Sequence, residues 1–302
     1  MSHERSGSRS STRAAVLGVL LASALFGTTG TALAQASADV DPLGAGILRL
    51  VLGGAGLAVL ARASLTTVRG HGREVLLGAV GVAVYQLGFF WATRRTGVAM
   101  SSVVTIGVSP LASWLIGSVR GRPQPPRLWF VAAFGILVGL VLLVTGGYDS
   151  LSVVPPGVVA AIVAGVAYAS YTESASILVG RGVPTTTVMT SLFLGAGLLT
   201  SPALLWTGVD ILQSTRGLIV LGYLGLVTLT ISYVAFGWSL QHIPPTLVVM
   251  LTLLEPVVAA LCSVLVLHEN LAPLGWVGAA VVGLCMILAG RSARGSTTTV
   301  GS

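Results

Sequence analysis

The chain of 302 residues is 54% hydrophobic and only 8% charged, with a formal net charge of +7. Soluble domains carry roughly 25% charged residues, so this composition excludes an ordinary water-facing globule of this length. The 16 basic residues are scattered between apolar blocks, which argues against a nucleic-acid-binding surface. Apolar blocks of about 20 residues are what a hydrocarbon layer of roughly 30 Å requires of a spanning helix. The composition therefore predicts an all-α membrane protein.

Charged residues and Pro/Gly turns divide the chain into ten apolar segments, which we predict to be ten transmembrane helices. In chain order they lie near 14–36, 43–61, 75–93, 97–119, 128–147, 156–178, 184–206, 217–239, 243–267 and 271–290. An alternative for the first segment is a cleavable secretory signal, because Arg13 and an apolar run precede an Ala-Leu-Ala sequence at 32–34. We favour a retained helix, since the uncharged stretch is long for a signal and its removal would break the repeat described below.

The arginines predict the orientation of the helices, because basic residues accumulate in cytoplasmic loops. With a cytoplasmic N-terminus, twelve arginines lie inside: Arg5, Arg9, Arg13, Arg62, Arg69, Arg73, Arg120, Arg122, Arg127, Arg181, Arg291 and Arg294. Three lie outside, namely Arg94, Arg95 and Arg216, and Arg49 lies within a helix. We therefore predict a multi-pass protein of a bacterial-type plasma (inner) membrane, with both termini in the cytoplasm.

The two halves of the chain resemble each other, which predicts an internal repeat. Pro110 in the fourth segment corresponds to Pro256 in the ninth, and Leu52 in the second corresponds to Leu194 in the seventh. Each half holds five helices, an odd number, so the second copy must cross the membrane in the opposite direction. The predicted units are a disordered cytoplasmic tail at 1–12, a first repeat at 13–147, a second repeat at 148–290 and a disordered cytoplasmic tail at 291–302. Inverted repeats place a shared site near the membrane midplane, between the halves.

Several of these segments also carry a resemblance to a known family. The informative stretches are Leu25-Phe26-Gly27-Thr28-Thr29-Gly30, Leu48-Arg49-Leu50, Tyr85-Gln86, Ser109-Pro110 and Leu254-Glu255-Pro256-Val257-Val258-Ala259-Ala260. Over about residues 14–290 the chain resembles the drug/metabolite transporter superfamily, as two EamA-like units. The resemblance implies ten helices around a central cavity and transport of small organic solutes, often outward. It leaves the substrate open, because members carry amino acids, nucleotide-related compounds, sugars or toxic organics.

Polar side chains within the apolar segments are the candidates for substrate binding. They are Arg49, Tyr85, Gln86, Thr105, Ser109, Tyr168, Tyr171, Tyr233, Thr252 and Glu255. Charges inside a membrane are costly and usually functional. At a rise of about 1.5 Å per residue, Arg49 and Glu255 lie at similar depth, roughly 9 and 12 Å from the outer surface. We hypothesise that both face one cavity, where they pair with each other or with a charged substrate; the alternative is a structural ion pair that fixes helix packing.

Other intramembrane residues suggest how such a site could work. Pro110 and Pro256 each remove a backbone hydrogen bond within a helix, so we predict that they act as hinges beside the site, with a tolerated packing kink as the alternative. Glu255 could also take up a proton, which would couple transport to the proton gradient. Glu173 is expected only about 5 Å from the inner face, within reach of the membrane interface.

These features favour a secondary transporter that moves an amino acid-like, nucleobase-like or organic-cation solute by alternating access, with export favoured over import. A channel or a non-transporting scaffold is the alternative, although the sequence shows no set of like-charged residues that would form the charged ring of a channel. We do not expect an enzyme, because no Asp pair, Ser/His pair or metal-ligand set lies at membrane depth. The expected partners are a small-molecule substrate and the lipid bilayer; we expect no nucleic acid, metal or cofactor, and the oligomeric state stays open.

Overall fold

The computed structural model describes residues 2–36, 40–61, 65–145, 155–268 and 270–295. Within these ranges every regular element is helical. The α-helices are α1 (Ser2–Ala34), α2 (Pro42–Ala61), α3 (Gly72–Val119), α4 (Arg127–Thr145), α5 (Pro155–Gly180), α6 (Thr185–Thr200), α7 (Leu204–Thr207), α8 (Thr215–Gly222), α9 (Ser232–Leu240), α10 (Pro245–Leu251), α11 (Glu255–Val266) and α12 (Pro273–Gly295). A π-helical segment, Tyr223–Ile231, joins α8 to α9, and a 3-10 turn, Thr252–Leu254, joins α10 to α11.

Nine described helical stretches are long and apolar enough to cross a membrane. They are Ser11–Ala34, Pro42–Leu60, Gly72–Thr96, Ser101–Val119, Arg127–Thr145, Pro155–Gly180, Thr185–Thr207, Thr215–Leu240 and Pro245–Val266. A further apolar helix, Pro273–Ala289, is shorter. Each predicted segment coincides with one of these ten helices, so the predicted all-α membrane fold is confirmed.

The chain ends and the predicted repeat boundary need separate mention. α1 begins at Ser2, so its first turns include residues for which the sequence predicts a disordered tail. The backbone of α12 continues to Gly295, into the second predicted tail. The rest of that tail, 296–302, and the predicted boundary between the repeats at 147 and 148 lie outside the described residues.

α3 crosses the membrane twice because it reverses direction between its two spans. The hydroxyls of Thr93 and Ser101 are hydrogen-bonded at 2.8 Å. Eight residues of straight helix would separate these positions by about 12 Å along the axis, so the chain must turn sharply between them. The sequence predicts two helices here with a short link, and the structure makes the reversal with helical backbone throughout.

α5 packs against both spans of α3 and shows their opposite directions. It is antiparallel to the first span, because Gly157 at its start faces Thr96, and Arg181 beyond its end pairs with Glu74 at 2.7 Å. It is parallel to the second span, where Thr105 donates a hydrogen bond to a carbonyl near the start of α5 and the end of the span meets the second half of α5. The first helix of the second half of the chain is thus embedded in the first half.

α1 packs in the second half of the chain in the same way. It is antiparallel to the span Thr215–Leu240, since the hydroxyls of Thr28 and Tyr223 are 2.9 Å apart and Ser239 donates to the carbonyl of Ala15 at 2.9 Å. It is parallel to the span Pro245–Val266. The two halves therefore exchange their first helices.

Two further pairs consist of helices that correspond to each other in the two halves. α2 packs antiparallel on α6, where a Cβ at Gly54 would lie only 2.8 Å from the Cα of Leu194. α4 packs antiparallel on α12, where a Cβ at Gly139 would lie 2.9 Å from the carbonyl oxygen of Gly278. Small residues permit such close helix contacts in membranes. A two-fold axis between inverted halves pairs such helices with their own counterparts and exchanges the first helices of the halves. The structure shows both features, so the predicted inverted repeat is confirmed.

Candidate functional site

A cavity of about 390 Å³ lies between the two halves. Its walls come from α1, α2, both spans of α3, α5, α6, the π-helical segment, α9 and α11. Leu33, Ala36 and Pro42 line it near the connection between α1 and α2, so the cavity extends to that side of the membrane. Its lining is mainly apolar and aromatic, which is typical of sites for small organic ligands.

Most of the residues singled out from the sequence lie in this wall. The predicted binding residues that line it are Arg49, Tyr85, Gln86, Tyr168, Tyr233 and Glu255, and the predicted hinge Pro256 lines it as well. Residues from five different helical segments are thus brought together, as expected for a site between the repeats.

Tyr171 and Thr252 lie immediately behind the wall and are buried. The hydroxyls of Tyr171 and Tyr233 are 2.9 Å apart, and the hydroxyl of Tyr168 donates to Thr252 Oγ1 at 3.0 Å. These two residues therefore hold wall tyrosines in place and do not line the cavity themselves.

Thr105, Ser109 and Pro110 also lie away from the cavity, where the second span of α3 packs on α5. Thr105 Oγ1 donates to the carbonyl of Ala161 at 3.0 Å, and Ser109 Oγ donates to the Thr105 carbonyl at 2.6 Å. The counterparts of Ser109 and Pro110 in the second repeat, Glu255 and Pro256, do line the cavity. The two repeats differ here because the cavity reaches only one side of the membrane, so corresponding segments meet different surroundings.

Glu255 opens α11 directly after the 3-10 turn and faces the cavity. Within the part of the chain that the structure describes, its carboxylate has no ion-pair or hydrogen-bond partner. A carboxylate without a partner in a poorly solvated site is energetically costly. Its position therefore favours a cationic group of a ligand beside it.

Arg49 is bound to the opposite half of the chain and makes no ion pair with Glu255. Its Nε donates to the carbonyl of Leu224 at 3.2 Å, and its Nη2 donates to the carbonyl of Thr228 at 3.2 Å. Both carbonyls belong to the π-helical segment, a distortion that often marks functional sites. These bonds use two of the five guanidinium N–H donors, which leaves the others directed at neighbouring groups or a ligand.

Two uncharged residues in the wall each have a buried polar atom without a hydrogen-bond partner among the described residues. Gln86 is only 5% exposed, and its buried Nε2 makes no hydrogen bond within the described chain. The buried Oγ1 of Thr29 is equally unpaired there. An unsatisfied buried polar group costs about 1–3 kcal/mol, so a ligand or water that bonds to these groups is favoured. Thr29 was missed as a site residue; its only sequence signal is its place in the family-like stretch of the first helix.

An aromatic cluster closes the end of the cavity away from the α1–α2 connection. The rings of Phe193 and Tyr233 are 3.9 Å apart between centroids, and those of Tyr168 and Tyr171 are 5.1 Å apart with edge-to-face geometry. Tyr171 and Phe236 behind them are fully buried. Phe193 had no sequence signal, because an isolated phenylalanine in an apolar helix is ordinary.

Gly46→Ala is expected to weaken solute binding and to destabilise the fold by about 1–3 kcal/mol, because the added carbon overpacks the site. A Cβ at Gly46 would lie 2.7 Å from Gln86 Nε2 and 2.6 Å from Phe90 Cε2, so both side chains must shift. The change in ligand-induced melting temperature measures the effect, which should correspond to a several-fold loss of affinity. Gly30→Ala is the matched control, because Gly30 also lines the cavity but has no atom within 4 Å of the added carbon. Equal effects of the two variants would contradict the prediction.

The architecture and the site agree with a comparison to protein families. A model described as the EamA-like transporter family matches residues 13–145 and again 155–291. The chain belongs to the EamA-like transporter family. The resemblance inferred from the sequence, to the drug/metabolite transporter superfamily, is thereby confirmed, and the chain is a multi-pass membrane protein of a transporter family.

Individual relatives support the same assignment. This EamA-like chain is similar to the uncharacterized transporter YwfM of Bacillus subtilis (strain 168), with 31% identity over 282 residues that cover 93% of this chain and 95% of YwfM. It is also similar to a protein of known crystal structure, with a TM-score of 0.79 and 22% identity, over 93% of this chain and 97% of that chain. At this identity the second likeness shows the fold alone.

Proposed function

We propose that this EamA-like protein is a secondary carrier for small organic solutes that bear an amino group. The observation that carries the proposal is Glu255, which lines an aromatic cavity and whose carboxylate has no hydrogen-bond or ion-pair partner among the described residues. An ammonium group placed there would meet both the carboxylate and the faces of Tyr85 and Phe89, which also line the cavity. Either interaction alone is modest in water, but both strengthen where water is excluded.

Arg49 and Gln86, which line the same cavity, favour a second polar group on the same solute. Gly46 and Arg49 lie three residues apart and so share one face of α2, and Gln86 contacts the backbone at Gly46. The amide of Gln86 and the guanidinium of Arg49 therefore lie on neighbouring turns of the wall. Their N–H groups suit a carboxylate or carbonyl oxygen, which supports an amino acid-like solute over a nucleobase-like one.

We further propose that transport is outward and coupled to protons across a bacterial inner membrane. The arginine distribution assigns both termini to the cytoplasm and the α1–α2 connection to the outside. The cavity of this structure is then open to the side on which an exporter releases its solute. A proton on Glu255 could replace the departing ammonium group, which keeps the empty carboxyl group neutral during the return step.

A carrier is favoured over a channel because the cavity is closed at one end by the aromatic cluster. The inverted repeat supplies a second, mirror-related arrangement in which the opposite end would open. Accumulation of labelled solute against a preloaded unlabelled pool distinguishes the two, because only a carrier exchanges one molecule for another.

The proposal is tested by binding of three matched solutes: phenethylamine, phenylalanine and N-acetylphenylalanine. They share a benzyl group but differ in whether a free amine is present. A solute that binds only the folded protein raises the melting temperature by mass action. We expect stabilisation by the first two and none by the third, followed by saturable counterflow of the stabilising solutes in proteoliposomes. Equal stabilisation by the acetylated compound would refute the role assigned to Glu255.

A further inference from the structure

A second buried carboxylate lies at the end of the bundle away from the cavity mouth. Glu173 of α5 is 0% exposed, and its Oε2 is 2.6 Å from Nη1 of Arg122 and 3.7 Å from Nη1 of Arg120. Ser113 Oγ donates to its Oε1 at 3.1 Å. The sequence led us to expect Glu173 at the membrane interface, but its carboxylate is buried against two arginines that first suggested only topology.

The arginine-bearing loop is itself fixed to the end of α3. Trp114 Nε1 donates to Gln124 Oε1 at 2.7 Å, and Gln124 Nε2 donates to Ser118 Oγ at 3.1 Å. The arginines therefore move with the second span of α3, which belongs to the first repeat. Their contact with Glu173 joins this repeat to the first helix of the second repeat.

The internal repeat shows what the corresponding place looks like on the opposite side of the membrane. Pro110 and Pro256 are 146 residues apart, and the same offset takes Ser113 to Ala259. Ala259 lines the cavity. Ser113, which is hydrogen-bonded to α5 in the first repeat, thus corresponds to a residue of the cavity wall in the second repeat.

The partner helix gives the same result. Leu52 and Leu194 are 142 residues apart, and this offset takes Thr31 of α1 to Glu173 of α5. Gly30, next to Thr31, lines the cavity and has no atom within 4 Å of an ideal Cβ. This part of α1 therefore leaves room at the mouth of the cavity, whereas the corresponding part of α5 is held by the contacts of Glu173.

We propose that Glu173, Ser113 and Arg122 form a latch that keeps the second opening of the carrier closed, and that transport requires the latch to break. This inference goes beyond the proposed function, because it concerns access from the other side and holds whatever the solute is. Arg120 and Arg122 keep 41% and 32% of their side chains exposed. When the ion pairs separate, water that enters the second opening would hydrate Glu173. This hydration offsets part of the free energy lost with the ion pairs, so the latch can open and close reversibly.

The latch is tested with one cysteine reporter on each side, in a background in which Cys262 and Cys285 are alanine. The outer reporter is Leu33→Cys, since Leu33 lines the cavity. The inner reporter is Ala175→Cys, which is 142 residues later and fully buried. Alkylation of each reporter by a water-soluble maleimide is timed in detergent, where both sides are accessible and no solute is needed.

Glu173→Gln is expected to speed alkylation of the cysteine at 175 by about tenfold, because removing one charge from a buried ion pair weakens the contact by at least that factor. The cysteine at 33 should react slightly more slowly, since the population gained by the state open at 175 is lost from the state open at 33. Unchanged alkylation at 175 overturns the proposal. Faster alkylation at both positions also overturns it, because that outcome indicates general loosening of the bundle.

Three further variants control for misfolding, for the pairing of Glu173 with Arg122 and for nonspecific effects of a charge change. Ser113→Ala keeps every charge and should shift both reporters in the same directions by a smaller factor, so it replaces Glu173→Gln if that variant does not fold. Arg122→Gln combined with Glu173→Gln should add little to either single change, as expected for direct partners. Asp210→Asn changes a carboxylate outside the cavity, whose Oδ1 accepts a hydrogen bond from Gln213 at 3.0 Å, and should leave both reporters unchanged.

Discussion

Glu255→Gln is expected to reduce transport of amine-bearing solutes by about thirtyfold or more while the protein stays folded. Loss of one partner from a desolvated charge pair costs about 2–5 kcal/mol, which corresponds to a factor of roughly 30 to several thousand in affinity. No described protein group forms an ion pair or a hydrogen bond with this carboxylate, so the melting temperature without solute should change little. Initial rates of labelled solute uptake into proteoliposomes measure the effect.

The control for this prediction is Asp210→Asn. Asp210 is a surface carboxylate outside the cavity, and its Oδ1 accepts a hydrogen bond from Gln213 at 3.0 Å. Its amide variant should transport at the parental rate. Parental transport by Glu255→Gln would remove Glu255 from the site, and a large fall in its melting temperature would show instead that the carboxylate has a structural role.

Arg49→Leu is expected to lower both the melting temperature and the transport rate. The Thr228 carbonyl would lose its side-chain donor, at a cost of about 1–3 kcal/mol for a buried unsatisfied group. The Leu224 carbonyl would keep the hydroxyl of Thr228, which donates to it at 2.8 Å. Arg49→Lys should recover only part of the stability, because an ammonium group lacks the planar fork that reaches two carbonyls. Thermal unfolding and uptake are measured on the same preparations.

Arg94→Leu is the matched control for the change at Arg49. Arg94 is 59% exposed and its pair with Asp41 is long at 3.6 Å, so its loss should change stability by no more than about 1 kcal/mol. If Arg49→Leu is as stable as the parent, then Arg49 does not hold the π-helical segment. If Arg49→Lys is fully active and fully stable, charge alone explains its role.

The fold was accessible from the sequence because membrane spans are set by length and apolarity, which are local properties. The shared depth of Arg49 and Glu255 followed from counting residues along two such helices, and the structure places both in one wall. The direct ion pair considered for them does not form, since Arg49 binds carbonyls instead. Those carbonyls are presented by a π-helical segment that no local pattern distinguished from an α-helix.

What the sequence could not provide depends on the conformation that the two repeats adopt. Pro110 and Pro256 are equivalent in the sequence, but only Pro256 lines the cavity, because the structure opens to one side. Glu173 looked peripheral because its partners, Arg120 and Arg122, come from a loop on another helix. Contacts of this kind depend on tertiary packing and leave no periodic trace along the chain.

The exchange of first helices between the halves has a consequence for biosynthesis. α1 is complete at Ala34, but its packing partners begin at Thr215. At roughly 5–20 residues per second, the ribosome needs on the order of 10–40 s to make them. During this time α1 must wait in the bilayer or beside the insertion machinery with its glycine-bearing face uncovered. The first five helices released alone would therefore be an incomplete assembly, and maturation of the carrier begins only when the second half is inserted.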